Sequence, residues 1–246
     1  KIGDTGKNYT MRGQVILDSC AGRNEDEIYD ALVRKTQGLY FCFYWPGKPG
    51  RPRSDSGIAV SRDGFNFTRV KNGQRVLELG PPGAWDSGNV FQMTPLLDGD
   101  LIRVYYRGTA ASREGMDSYD HFLTEIGVAT IRAHGWTYYS PSSSDTYGTV
   151  VTIPVEAPLA SNRGLTVNVE FANQTGSLAV EELDADKLAP LDGYALADCQ
   201  PLQVDGLAKQ IGWNNSNVLP TGKPIRLRFW LRGKQTRLYS FGFNAL

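Results

Sequence analysis

Glu27-Ile-Tyr-Asp-Ala-Leu-Val-Arg-Lys-Thr-Gln-Gly-Leu-Tyr-Phe-Cys-Phe-Tyr44 reads as a strand, a tight turn at Gln37-Gly38 and a second strand. Aromatic and β-branched residues fill the strands and glycine supplies the turn. The pattern returns at Trp85-Asp-Ser-Gly-Asn-Val-Phe-Gln-Met-Thr-Pro-Leu-Leu-Asp-Gly-Asp-Leu-Ile-Arg-Val-Tyr-Tyr-Arg-Gly108. Each copy is followed by a further strand-like stretch, residues 57–67 and then 126–136. A strand-only unit recurring at roughly 60–70 residues predicts propeller blades. The innermost strand of a blade lines a central channel, so the carboxylates at the head of each copy, Glu27 and Asp86, are expected to face the ligand.

Apolar spacing at three and four residues is not sustained anywhere, and the best helical stretch, Leu183 to Leu188, is too short and runs into Pro190. Alternating strands continue instead at residues 165–171, 177–183 and 225–231. The chain is therefore expected to be all-β. The Ser-rich stretch Ser140-Pro-Ser-Ser-Ser-Asp-Thr146 marks a boundary, giving a blade domain over 1–143 and a second domain over 144–246. About eight short strands with in/out alternation predict a two-sheet, jelly-roll-like β-sandwich there. Arg226, Arg228 and Arg232 read as a solvated strand face rather than a binding patch. The first domain holds material for two blades, whereas closing a propeller takes about four or more. Either the repeat folds in another way, or an N-terminal fragment or partner chain completes the ring.

Composition narrows the function classes. Lys plus Arg number 26 and Asp plus Glu number 26, so no net field draws nucleic acid or an anionic membrane. No apolar run approaches the roughly 20 residues of a membrane span. Asn8, Asn66, Asn173 and Asn214 each open an N-x-[ST] triplet, more than chance supplies, which points to a secreted, extracellular glycoprotein. Cys20, Cys42 and Cys199 lack CxxC spacing, His121 and His134 stand apart, and phosphate-binding glycine loops are missing, so no metal or cofactor is expected. Cys42 and Cys199 read as small buried apolar residues, while Cys20 is free to pair with Cys42 or with another chain.

A family resemblance follows from the order of short motifs. Glu27-Ile-Tyr, Gly38-Leu-Tyr, Ala59-Val-Ser-Arg-Asp-Gly-Phe65, Leu79-Gly-Pro-Pro-Gly-Ala-Trp-Asp-Ser-Gly-Asn89 and Gly127-Val-Ala-Thr-Ile-Arg132 resemble the final blades of five-bladed propeller glycoside hydrolases. The group is that of the invertases, levanases and arabinanases, in its secreted, fructan-hydrolase-like branch. The stretches from Gly176 to Asp186, Asp198 to Leu202, Pro224 to Phe229 and Leu238 to Phe241 are similar to the β-sandwich that follows the propeller. The resemblance implies a carbohydrate ligand and three channel carboxylates, of which Glu27 stands where the general acid would be. The acid's motif there is of the Glu-Cys-Pro type and here reads Glu-Ile-Tyr. The other two carboxylates would belong to blades outside this chain.

Glycoside hydrolysis needs one protonated and one ionised carboxyl across the scissile bond. Glu27 is read either as that acid, partly desolvated among Tyr29, Tyr44 and Trp45, or as a polar turn residue, with Asp26 as its alternative. Asp86 and Asn89 bond sugar hydroxyls, or Asp86 caps its own turn through Ser87 and Gly88. Arg107 meets an anionic sugar or pairs with a carboxylate, and Trp85 stacks on a sugar or fills the blade interface. Asp63, in Ser61-Arg-Asp-Gly64, is read as binding turn amides. Asp-Ser-Gly at Asp55 and Asp86 lacks the GxSxG frame and histidine of a serine hydrolase. A non-catalytic glycan-binding or structural role on a degenerate glycosidase fold is the rival reading.

Overall fold

The computed structural model describes residues 16–18, 27–36, 38–47, 55–70, 75–111, 123–142, 147–156, 163–172, 176–214, 219 and 223–245. Among them the chain is all-β, with seventeen strands and no α-helix. Asp26, Cys20, His121 and the acceptors Asn8 and Asn173 lie outside the described residues.

Two compact units divide the chain, one of residues 1–97 and 103–130, the other of 98–102 and 131–246. The first contains β1 (Glu27–Thr36), β2 (Leu39–Gly47), β3 (Ser56–Ser61), β4 (Thr68–Arg69) and β5 (Arg75–Leu77), an antiparallel sheet ordered β1-β2-β3-β4 with β5 also on β3. Its first hairpin is the stretch quoted at the outset. Gly38 takes φ +79°, the left-handed geometry such a turn requires. A separate sheet runs β6 (Asn89–Asp98), β7 (Leu101–Thr109) and β8 (Glu125–Arg132), and holds the second copy of the pattern. Within the first unit Ser56 Oγ donates to the carbonyl of Val90 at 2.8 Å, a buried bond from β3 to β6.

Ser61-Arg-Asp-Gly64 is a turn held by its own side chains. Asp63 accepts from the N–H groups of Phe65 and Asn66, both at 2.8 Å, and from the Asn66 amide at 2.6 Å. These bonds hold its carboxyl well below the usual range.

The second unit contains β9 (Tyr147–Val151), β10 (Val155–Glu156), β11 (Arg163–Phe171), β12 (Ser177–Asp184), β13 (Cys199–Gln200), β14 (Gly206–Gln210), β15 (Gly212–Trp213), β16 (Pro224–Arg232) and β17 (Thr236–Ala245). One sheet is ordered β10-β16-β12 with β9 also on β16, another β14-β11-β17, and β13 pairs β15. Leu165, Val167 and Val169 of β11 share one core with Ile225, Leu227, Phe229 and Leu231 of β16, all at most 1% exposed. The period of two places these residues on one side of their strands. On the other side of β16, Arg228 pairs with Glu181 at 3.2 Å, and Arg226 donates to the carbonyls of Ala185 and Thr152.

Within the second unit, Arg132 donates to the Asn168 side chain and to the carbonyl of Val169, while Asn168 donates to the carbonyl of buried Ala133.

Candidate functional site

The head of β1 carries a β-bulge. Glu27 pairs with Gly47 and Ile28 with Pro46, but Asp30 pairs with Trp45, which leaves Tyr29 as the extra residue. A bulge re-aims side chains, and here the Tyr29 hydroxyl donates to the Glu27 carboxylate. The Tyr29 ring lies over Gly47, where a Cβ would overlap it. From Tyr29 the contacts run on as a row. Its ring meets Trp45 at 5.0 Å between centroids, Trp45 stacks on Phe91 at 4.8 Å, and the Arg107 guanidinium sits 5.0 Å from the Phe91 centroid. Three residues expected at a glycan site, Glu27, Tyr29 and Arg107, are thus joined through Trp45 and Phe91.

The row has a carboxylate at one end, a cation at the other and aromatic rings between, of which Phe91 is buried. Tyr29 is 37% exposed. Trp45 Nε1 is buried with no hydrogen-bond partner among the described residues, a cost of about 1–3 kcal/mol. Tyr44, expected beside Glu27, points the other way by strand alternation and is buried against Gly57. Phe91 was not among the sequence candidates: it sits one sheet away, and only the fold of the first unit brings β6 to β2. A Gly47→Ala substitution is expected to displace the Tyr29 ring, break its bond to Glu27 and cost about 1–3 kcal/mol through overpacking. Thermal unfolding and tyrosine ring shifts in NMR spectra measure both; an unmoved Tyr29 spectrum refutes the contact.

Asp86 and Asn89 are placed differently. Asp86 Oδ2 accepts from the Tyr106 hydroxyl at 2.8 Å, and Trp85 stacks on the Tyr106 ring at 5.5 Å. Burial, helped by the Asp86 bond and charge, pushes the Tyr106 hydroxyl up to about 12. Trp85 also covers Gly108 and Gly127, where an added Cβ would come within 2.6 and 2.7 Å of its ring. Asn89 is fully buried and its amide donates to the carbonyl of Ala111 at 2.9 Å. Both are engaged in closing the β6–β7 end. Arg107 falls between Tyr106 and Gly108, so alternation sends it to the opposite face of β7 from Asp86's partners.

Of the acceptor asparagines, Asn66 is exposed but its amide is bonded to Asp63, and Asn214 is exposed. Cys42 and Cys199 are free and buried. Burial raises the Cys42 thiol to about 11, against the lowering influence of Arg69, and also raises Cys199, which disfavours the thiolate at both.

No family model matches the chain, and no curated protein matches it. Solved structures do align with it, and they are glycoside hydrolases. One, described as a glycoside hydrolase, is 18% identical over 42% of this chain and 26% of its own, with a TM-score of 0.33. An endo-arabinase from Bacteroides thetaiotaomicron is 16% identical over 61% of this chain and 54% of its own, with a TM-score of 0.32. A Bombyx mori GH32 beta-fructofuranosidase is 9% identical over 92% of this chain and 55% of its own, with a TM-score of 0.31. The chain spans between 26% and 55% of the length of these solved structures.

Proposed function

We propose that this is a secreted, glycoside-hydrolase-like protein that binds a carbohydrate along the row Glu27–Tyr29–Trp45–Phe91–Arg107. The observation that carries the reading is the Glu27 carboxylate held by Tyr29, whose exposed ring heads an aromatic row that runs inward to buried Phe91. A pyranose or furanose ring offers an apolar face to aromatic side chains and hydroxyls to a carboxylate and a guanidinium. The motif resemblance gives Glu27 the part of general acid, passing its proton to the leaving glycosidic oxygen as the C–O bond breaks and water supplies the new hydroxyl. Such a reaction needs a second carboxyl about 5–5.5 Å away for retention or about 6.5–9.5 Å for inversion. The row holds a single carboxylate. Further blades, on an N-terminal fragment or partner chain, would supply the other and close the channel.

That same single carboxylate favours the second reading, a glycan-binding protein without turnover. Glu27→Gln in the complete assembly separates the two. Loss of about 10²–10⁴ in turnover with binding retained is the expected result for a general acid. Unchanged turnover removes Glu27 from that role, and glycan-array binding with no hydrolysis by the wild type selects the binding reading. Secretion rests on the N-x-[ST] triplets, and enzymatic deglycosylation of the native protein, followed by intact mass, tests it.

A further inference from the structure

The outer face of β16 carries a group of side chains that the first-unit reading does not use. Leu227, Phe229 and Leu231 turn into the core, so Arg228, Trp230 and Arg232 stand on the opposite side of the strand. Register supplies their neighbours. Arg228 lies between Val151 of β9 and Glu181 of β12, Trp230 between Thr149 and Ala179, and Arg232 between Tyr147 and Ser177. In the sequence the arginines read as a solvated strand face, and pairing sets a tryptophan and a tyrosine among them.

Glu181 fixes the centre of this face. It is 6% exposed, and its Oε2 accepts from the Trp230 indole N–H at 2.7 Å and from Arg228 at 3.2 Å, while Oε1 accepts from Leu196 N–H at 3.3 Å. The indole is thereby held in one orientation. Tyr147, 49% exposed, meets it edge-on at 5.8 Å between centroids and 82° between planes, so the two rings form a floor and a wall. The Arg228 guanidinium lies 6.0 Å from the Trp230 centroid and that of Arg232 lies 5.9 Å from the Tyr147 centroid, which places both cations at the ring pair. Thr149 and Val151 are exposed beside Trp230 and Arg228, so the face is open along β9.

Charge decides what fits. Glu181 balances Arg228, and Arg226 is bonded to two carbonyls. Arg232 is exposed and has no carboxylate partner among the described residues, so its planar guanidinium is left to meet an anion. We propose that this face binds an acidic glycan, with one uronate unit lying on Trp230 against Tyr147 and its carboxylate paired with Arg232. The apolar face of the sugar ring covers the indole, and the hydroxyls of Thr149 and Ser177 can both donate to and accept from those of the sugar. The site does not rest on the Glu27 row.

The test is titration of the full chain with trigalacturonate, neutral maltotriose and acetate, followed by calorimetry and by the indole N–H signals in NMR spectra. Trp230→Phe assigns the Trp230 signal by its loss. Trigalacturonate is expected to saturate, to shift that signal, and to bind about tenfold or more tightly than maltotriose or acetate. Arg232→Gln should erase most of the preference over maltotriose, and Trp230→Ala should weaken trigalacturonate by about tenfold or more. Should Trp230→Ala fail to fold, Tyr147→Ala, at an exposed position, is expected to weaken binding in its place. The proposal is overturned by absence of saturation at about 10 mM, by equal affinity for maltotriose or acetate, by a Trp230 signal unmoved at saturation, or by affinity insensitive to Arg232→Gln.

Discussion

Wild-type stability falls by on the order of 3–5 kcal/mol between about pH 4.5 and pH 8 through Glu182 alone, and Glu182→Gln abolishes that slope. Glu182 is fully buried, and among the described residues both carboxylate oxygens lack a hydrogen-bond partner. It lies opposite Leu227, just as Val180 lies opposite Phe229 and Leu178 opposite Leu231, so it points into the core of the second unit. Burial alone raises its pKa from the ordinary 4.5 to about 8. In the unfolded chain the group ionises near 4.5, while the folded protein holds its proton to about 8. Raising the pH across that window therefore favours unfolding, and above it the penalty levels off. Urea unfolding of wild type and Glu182→Gln from pH 4.5 to 9 measures the difference. Parallel curves for the two proteins would show that the carboxyl finds a partner or water. Glu182→Met, which removes the polar group, is expected to be more stable than wild type across the whole range.

Trp213→Ala is expected to cost about 3–5 kcal/mol, the range for removing a buried aromatic. The position does more than fill space. In the order β10-β16-β12, strand β12 is an edge, and most of its free side is met by backbone: Leu178 bridges Leu202, Glu182 bonds Leu191 and Tyr194, and Asp184 bonds Ala189. At Val180 side chains close the gap. The Trp213 indole N–H donates to the Val180 carbonyl at 3.0 Å, and Val180 N–H reaches Cys199 Sγ at 3.2 Å. Trp213 also packs on Tyr194 at 5.2 Å, fastening the covering segment. Trp213→Phe keeps much of the volume and loses the donor, so about 1–3 kcal/mol is expected. Equal losses for Phe and Ala in denaturant unfolding would assign the whole effect to the hydrogen bond. A loss under about 1 kcal/mol for Ala would mean the covering segment is held by other contacts.

Adjacent glutamates show how far the sequence reaches. The stretch from Ser177 to Leu183 announces a strand, and the strand is there. Which of Glu181 and Glu182 turns inward is not written in it, because both neighbours in a strand are equivalent until a partner sets the register. Pairing with β16 sends Glu181 to Arg228 and the Trp230 indole, and Glu182 into the core. The candidate site divides in the same way. Glu27 and Tyr29 are two residues apart on one strand, so their association is local and legible. The approach of Arg107 to Phe91 and of Phe91 to Trp45 is tertiary. Asn89 reads in the sequence as a sugar contact beside Asp86, and its burial and the bond from its amide to the carbonyl of Ala111 are set by the fold.

By itself the sequence determined the all-β class, the two hairpins with their glycine turns and the self-contained Asp63 turn. Each depends on the period of two, on left-handed glycine or on bonds within a few residues. Tertiary structure alone decided the contacts of Tyr29 with Gly47 and Trp45, the approach of Phe91 and Arg107 to them, and the burial of Glu182. Those depend on register and on which strands meet, and residues far apart in the chain acquire a shared environment only when packing brings them together.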